Sequence, residues 1–487
     1  MKGRIIPLSK KKKENNITVS FVDSNSAKDV TGSSILVKTP NHNILIECGL
    51  TQTNDKYEDF LVNNRKTKEY KAKDISLVFV CHNHGDHSLL VPKLFRDGCE
   101  AGVIIPERNK SVYEKMLVDS AHIAERDIEI INDEHGKKYK PLYDLGNVNK
   151  TIEHTKEFPV NQKIQIDDEI SFKFIPSGHL LGACQLILYI TINGITKVLG
   201  YTSDIGSNKV HNHFVGNFEP ITEYCNAIIG ESTYGNRPDV KVGKKERKND
   251  LEKLKSIIDT QIRDMHGRCI IPSFAQSRCQ QLALLIYQMY KDNEEFQPKV
   301  YIDSPLAIQI FKEYQGLLDG EEKELYDEMM NWDKLKFIKE SMDSKALVES
   351  DEPCVILTTN GMATVGRVLN HLRKCVPNPN ATVLFAGYSS DNSLATSLKN
   401  KDVKKVMING IECTCRCSIY SMKSFSGHAM FNQLLNYYSD LHTDKIVLHH
   451  GQEEAKLYLK GALEKELEKK CKSTRVVVAN SSLKFSL

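Results

Sequence analysis

Residues 81–87 read Cys81-His82-Asn83-His84-Gly85-Asp86-His87, with four metal-grade side chains in six positions. The run before them, 75–80, is Ile-Ser-Leu-Val-Phe-Val and predicts a buried strand. If His82 and His84 continue it, the two-residue period turns both imidazoles the same way. Asp86 and His87 then fall just past the strand, with Gly85 supplying a turn. Two imidazoles on one side and a carboxylate–imidazole pair on the other suit two neighbouring metal ions. The bland alternative is a polar loop that happens to be rich in histidine. So many ligands at a strand end disfavour it.

Four ligands cannot close a two-metal site, and three further positions supply the rest. Each follows an apolar strand: Ser177-Gly178-His179 after 172–175, Thr202-Ser203-Asp204 after 198–201, and His449-His450-Gly451 after 445–448. Singly, each has an ordinary explanation as a loop histidine or a turn aspartate. With the first cluster they are the missing pieces of a dinuclear zinc site, since imidazole and carboxylate suit zinc without thiolate. Asp204 has two oxygens to share between both ions.

The remaining pattern divides the chain. Up to about residue 236 it is strand-rich, with strands at 18–22, 34–37, 43–48, 169–176, 186–192 and 196–201. Thr39-Pro40-Asn41-His42 and Asn193-Gly194 mark hairpin turns, and 111–131 has helical spacing. From 237 onward helices (247–265, 277–290, 306–314, 365–375) alternate with strands (269–272, 299–302, 355–358, 383–387). That alternation predicts βαβ units around a parallel sheet. Helices at 431–441 and 452–469 then flank the strand 445–448. A chain of 487 residues is also too long for one ordinary core.

Composition is that of a soluble enzyme, 40% hydrophobic and 26% charged, and the net charge of +3 is too small to announce nucleic acid by itself. No 18-residue apolar run or signal peptide is found, so no membrane partner and a cytoplasmic location are expected. Thirteen scattered cysteines fit reduced thiols. Cys413, Cys415 and Cys417 alternate along what reads as one strand, where ordinary packing is expected in preference to a zinc clip.

His82-x-His84-x-Asp86-His87, then His179, then Asp204 resembles the ligand series of the metallo-β-lactamase fold, an αββα sandwich. The resemblance implies one zinc on His82, His84, His179 and Asp204, and another on Asp86, His87, Asp204 and His450. His449 is the alternative to His450, but the His-Gly phrase favours His450. One departure precedes the cluster: Glu47 stands where the family commonly has aspartate, which bears on the support of the ligand loop.

Between Asp204 and His428 lies room for a whole domain, and its phrases are similar to those of the β-CASP nucleases in their RNA-acting branch. They include Glu231-Ser232-Thr233-Tyr234-Gly235, Ser273-Phe274-Ala275 with Arg278, Asp303-Ser304-Pro305, Asn360-Gly361-Met362 and Ser426-Gly427-His428-Ala429. The implied fold is α/β, an αββα metallo-β-lactamase sandwich (1–236 and 422–487) with an inserted parallel-sheet β-CASP domain (237–421). The implied activity is hydrolysis of RNA, single-stranded, by a hydroxide on two zinc ions, endonucleolytic or 5′-exonucleolytic. Glu231, His428 and Asp86 take the catalytic roles, and Arg278, Asn360 and Gly361 hold substrate. A homodimer or a processing-complex partner is left open. So are hydrolysis of a small ester, of another phosphodiester or of DNA, while a non-catalytic RNA-binding subunit is disfavoured because every proposed ligand is present. Departures at Asn360, in 387–395 and at Met430 point to unusual handling of substrate.

Overall fold

The computed structural model describes residues 16–22, 29–53, 55–207, 213–216, 218–240, 242–387, 389 and 393–487. Tyr388 and residues 390–392, part of the departure at 387–395, lie outside them.

Alternation of side chains along short strands builds the first unit. Ile35, Val37, Ile44 and Ile46 join one core, while Leu36 and Leu45, between them, join another. The strands Ile35–Lys38 and Asn43–Ile46 form a hairpin closed by Thr39 N–H on the His42 carbonyl. They sit in a seven-stranded sheet ordered Lys484–Ser486, Thr18–Phe21, Ile35–Lys38, Asn43–Ile46, Leu77–Phe79, Gly102–Pro106, Thr155–Phe158. A second seven-stranded sheet runs Arg475–Val478, Lys445–Leu448, Ala227–Gly230, Ile195–Tyr201, Cys184–Ile192, Ile170–Pro176, Ile164–Gln165. The sheets face each other across Phe79, Phe172, Phe174, Leu186, Ile229 and Val447. Outside the first sheet, Leu94, Tyr113 and Leu117 of the helices Val91–Arg96 and Lys110–His135 cover Leu45, Val78 and Val103. Outside the second, Leu434 and Tyr438 of Phe431–Asp440 and Leu459 and Leu463 of Glu453–Lys469 cover Ile228 and Leu448. This is an αββα sandwich.

A third sheet is parallel throughout, ordered Leu335–Phe337, Val300–Asp303, Cys354–Thr358, Arg268–Pro272, Ala381–Ala386, Ser418–Met422. Its central strands, Arg268–Pro272, Cys354–Thr358 and Ala381–Ala386, are fully buried because helices cover both faces. Ile271, Ile302 and Leu357 pack on Leu282, Ile286 and Phe311, while Ile270, Ile356 and Val383 pack on Leu347, Val368 and Leu372. The third sheet is built between Ala227–Gly230 and the helix Phe431–Asp440, after which Lys445–Leu448 pairs beside Ala227–Gly230 in the second sheet.

Several elements differ from the sequence expectation. The strand before the metal cluster ends at Phe79, so His82 and His84 are not on it, and Gly85 opens a short helix, Gly85–Ser88, in place of a turn. The cysteine trio does not share one strand: Ile411–Thr414 stops before Cys415, whose N–H turns to the Lys404 carbonyl, while Cys417 N–H bonds the Val376 carbonyl. The expected helix 247–265 starts at Lys244 and gives way at Asp259 to a π-helical stretch, Asp259–Asp264. All thirteen cysteines are free thiols, and among the described residues no helix is long and apolar enough to cross a membrane.

Phe172 is fully buried between Phe79, Phe158 and Phe174, with ring centroids 5.1–5.3 Å apart. Phe172→Ala is expected to cost about 3–5 kcal/mol, read as a lower midpoint in urea unfolding; a loss near zero would mean that the two sheets do not share this core.

Candidate metal centre

The ligands sit on loops that leave the sheets and lean on one another. Val80 N–H makes the last ladder bond, to the Ile104 carbonyl, and the chain then bends through His82–His84 into Gly85–Ser88. Two segments grip this turn through their backbones: Ser33 N–H, before Ile35–Lys38, reaches the Asp86 carbonyl, and after Asn43–Ile46 Cys48 N–H reaches that of His87 and Leu50 N–H that of Gly85, each at 2.8 Å. Gly49 is glycine for this reason, since a Cβ there would lie 1.7 Å from the Asp86 carbonyl oxygen. The loops bearing His179 and Asp204 stack in the same way. Gly206 N–H bonds the Ser177 carbonyl, and a Cβ on Gly206 would lie 1.6 Å from the Gly178 oxygen.

All seven expected ligands converge. His82, His84, His179 and Asp204 form one donor set, and Asp86, His87 and His450 another. In the first, His82 Nε2 and His179 Nε2 each lie 3.5 Å from Asp204 Oδ2, and His179 Nε2 is 3.2 Å from His84 Nδ1. In the second, His450 Nε2 is 3.2 Å from both Asp86 Oδ2 and His87 Nε2. Asp204 presents Oδ1 to this second set, 3.4 Å from His87 Nε2 and 3.3 Å from His450 Nδ1. Zinc bonds of 2.0–2.1 Å in a tetrahedron require donors about 3.4 Å apart. The separations within each set suit a bound metal ion, and Asp204 lies between the sets, with Oδ2 toward His82 and His179 and Oδ1 toward His87. The buried His82 Nε2 and Asp204 Oδ1 make no hydrogen bond, as atoms aimed at an ion would not. His449 does not join either set; its ring packs 5.1 Å from Phe21.

The electrostatics suit metal binding. Burial pulls His82 and His179 well below the ordinary imidazole range and His84 down to about 4. Burial would push Asp86 up, but His87 and His450 outweigh it and hold the carboxyl at about 2. His87 goes the other way: against its burial, Asp204 and Asp86 lift it well above the usual range. Glu47, wholly buried, backs this imidazole with Oε1 3.6 Å from His87 Nδ1 and accepts from Cys81 N–H and Ser203 Oγ. The longer acid therefore reaches the ligand loop.

Beside the metals, Glu231 Oε1 lies 3.3 Å from His428 Nδ1, and His428 Nε2 lies 4.0 Å from Asp204 Oδ2. Glu231 is fixed in turn, accepting from Ile205 N–H and Thr233 N–H. Burial lowers the affinity of His428 for a proton, yet the Glu231 and Asp204 carboxylates raise its pKa to about 9. Bound dications would oppose that shift.

Of the three expected substrate residues, two reach a common cavity. Arg278 and Gly361 line it with Ser273, Phe274, Gly387 and Ser389, and the Phe274 ring lies 6.3 Å from that of His84. Asn360 is not brought there: its side chain binds Thr364 and its N–H the Val365 carbonyl, which closes its own loop. Arg278 bonds Gln281 Oε1, and among the described residues no carboxylate lies within ion-pair reach of it. Burial and the nearby Arg247 lower its pKa to about 9, so an anion there would be welcomed. The sequence reading gave no role to Ser203, whose Oγ is 3.1 Å from His82 Nδ1, or to Thr233, whose Oγ1 is 3.3 Å from His450 Nδ1, although both lie in quoted phrases. Both neighbour residues already singled out, which was the available signal. Lys399 was equally silent; its Nζ holds Ser389 Oγ and the Gly387 carbonyl at the cavity edge.

Comparison with known proteins agrees with this layout. Residues 27–149 match the model of the Metallo-beta-lactamase superfamily, 279–398 the Beta-Casp domain, and 414–473 the Zn-dependent metallo-hydrolase RNA specificity domain. His179, Asp204 and Glu231 lie outside all three matches, and the geometry brings them to the site with the residues inside those matches. The chain is 28% identical over 451 residues to a protein named Transcription termination factor FttA from Methanocaldococcus jannaschii, covering 90% of this chain and 67% of that one. It is 24% identical over 446 residues to Ribonuclease TTHA0252 of Thermus thermophilus, covering 90% and 94% respectively. A third relative, Probable RNase MJ4 of M. jannaschii, is 27% identical over 435 residues, covering 88% and 92%.

Two substitutions separate the metal ligands from their neighbour. Asp204→Ala is expected to lose zinc from both halves by elemental analysis, and unchanged zinc content would remove its bridging role. His428→Ala is expected to keep both ions and lose about 10²–10⁴-fold in turnover; stoichiometric loss of zinc would make His428 a ligand instead.

Proposed function

The chain belongs to the β-CASP branch of the metallo-β-lactamase fold, and from that premise we propose that it is a zinc ribonuclease acting on single-stranded RNA. The observation that carries this reading is the Glu231–His428 pair, set against the shared Asp204 carboxylate at the mouth of the inserted domain. A small-ester hydrolase needs neither that pair nor the Arg278 cavity. The named relatives, a ribonuclease and a transcription termination factor, are in keeping with RNA.

Zinc ions held by the two donor sets would polarise a phosphoryl oxygen and lower the pKa of a water. The chain's own residues supply the rest. The Asp86 side chain, 23% exposed beside nearly buried ligands, faces the cleft and orients the attacking water. Attack on phosphorus in line breaks the bond to the 3′-oxygen, which leaves poorly without a proton. His428 Nε2 donates that proton, and Glu231 holds the ring tautomer and the charge through Nδ1. The proton shed by the water restores His428, and the products end in a 5′-phosphate and a 3′-hydroxyl. Arg278 and the backbone at Gly361 hold neighbouring phosphates.

The same proposal takes 237–421 as the inserted domain, supported by the third sheet spanning Arg268–Pro272 to Ser418–Met422. It sets the work in the cytoplasm, where thirteen reduced thiols are at home. Zinc-loaded protein incubated with 5′- and 3′-end-labelled RNAs, each with a monophosphate or a hydroxyl, is expected to give chelator-sensitive cleavage. Product length then separates internal cutting from trimming at the 5′ end. Intact RNAs alongside turnover of a chromogenic carboxylic ester would favour the small-ester reading.

A further inference from the structure

The segment that carries His428 is held from the inserted domain as well as from the sandwich. Asp250, on the helix Lys244–Ile258, accepts three hydrogen bonds at Oδ2: from Lys423 N–H at 3.2 Å, Ser424 N–H at 3.0 Å and Ser424 Oγ at 2.7 Å. Three positions earlier, on the same helix face, Arg247 donates from Nη1 to the Ser424 carbonyl at 3.2 Å. Its guanidinium also lies over the Phe425 ring, 4.0 Å from the centroid. Arg247 is 9% exposed and Ser424 2% exposed, so this is no surface ion pair. Burying a guanidinium costs free energy unless it is bonded, which makes the grip specific. From the other side, Tyr234 OH meets Ser426 Oγ at 3.0 Å, and His428 N–H reaches the same oxygen at 3.3 Å. The Gly427 carbonyl takes His179 Nδ1 at 2.9 Å. Every residue from 423 to 428 except Phe425, which is stacked, is thus fixed by a hydrogen bond.

We propose that Arg247 and Asp250 are positioning residues that set the reach of His428 toward the leaving oxygen, so that seating of the inserted domain controls the acid step. This rests on the assignment of His428 as the general acid. Proton transfer needs the donor within hydrogen-bond reach, so a displacement of about an ångström in the 423–428 segment is costly.

The test compares kcat on RNA with kcat on bis(4-nitrophenyl) phosphate, whose phenolate departs without a proton. Asp250→Ala is expected to lose at least about tenfold more on RNA than on the activated diester, with KM for RNA little changed. Asp250→Asn keeps an acceptor oxygen and is expected to recover most of the loss. Equal losses on both substrates, or none on RNA, would overturn the proposal. His428→Ala must show the same selectivity; if it does not, the acid assignment itself fails, which is distinguishable from a failure of Asp250 alone. Should Asp250→Ala not fold, Ser424→Ala removes the 2.7 Å bond alone. A smaller loss confined to RNA would then support the proposal, and an equal loss on both substrates, or none, would overturn it.

Discussion

The site depends on one buried carboxylate. Asp204 is 2% exposed and lies within 4.0 Å of five different imidazoles, so it cannot be solvated by water. Burial alone would push its carboxyl up, but His450, His87 and His428 outweigh that and hold it well below the usual carboxylate range. The architecture around it is arranged to keep it there. Two loop pairs interlock with backbone against backbone, made possible by Gly49 and Gly206, and a rigid sandwich core stands behind them.

Much of this was legible in the sequence, because the strands that matter are short, apolar and end in polar signals. The hairpin at Thr39–His42, the strand Lys445–Leu448 and the alternating helices and strands of the third sheet follow directly from periodicity. The bend at His82–His84 was not legible, since an apolar run says nothing about where the ladder stops. It stops where Glu47 accepts Cys81 N–H and takes it out of the ladder. The strand Lys484–Ser486 was also hidden, being a short, partly exposed edge strand with one apolar residue, whereas Val476-Val477-Val478 offered a strand signal that was passed over.

The site residues divide along the same line. Ligands were found because histidine and aspartate at strand ends are rare and chemically loud. Supporting groups such as Ser203, Thr233 and Lys399 are common residues whose significance is purely spatial. Asn360 shows the converse, a residue singled out for its motif whose donors are spent inside its own loop.

The path of the chain has a kinetic consequence. The third sheet sits between two strands, Ala227–Gly230 and Lys445–Leu448, that are neighbours in the second. Long-range pairings of this kind form late, because loop-closure entropy is lost before the contact is made. During synthesis His82 to Asp204 therefore emerge first, while His428 and His450 wait until the intervening domain has been made. The candidate site is therefore complete only after the third sheet has been synthesised.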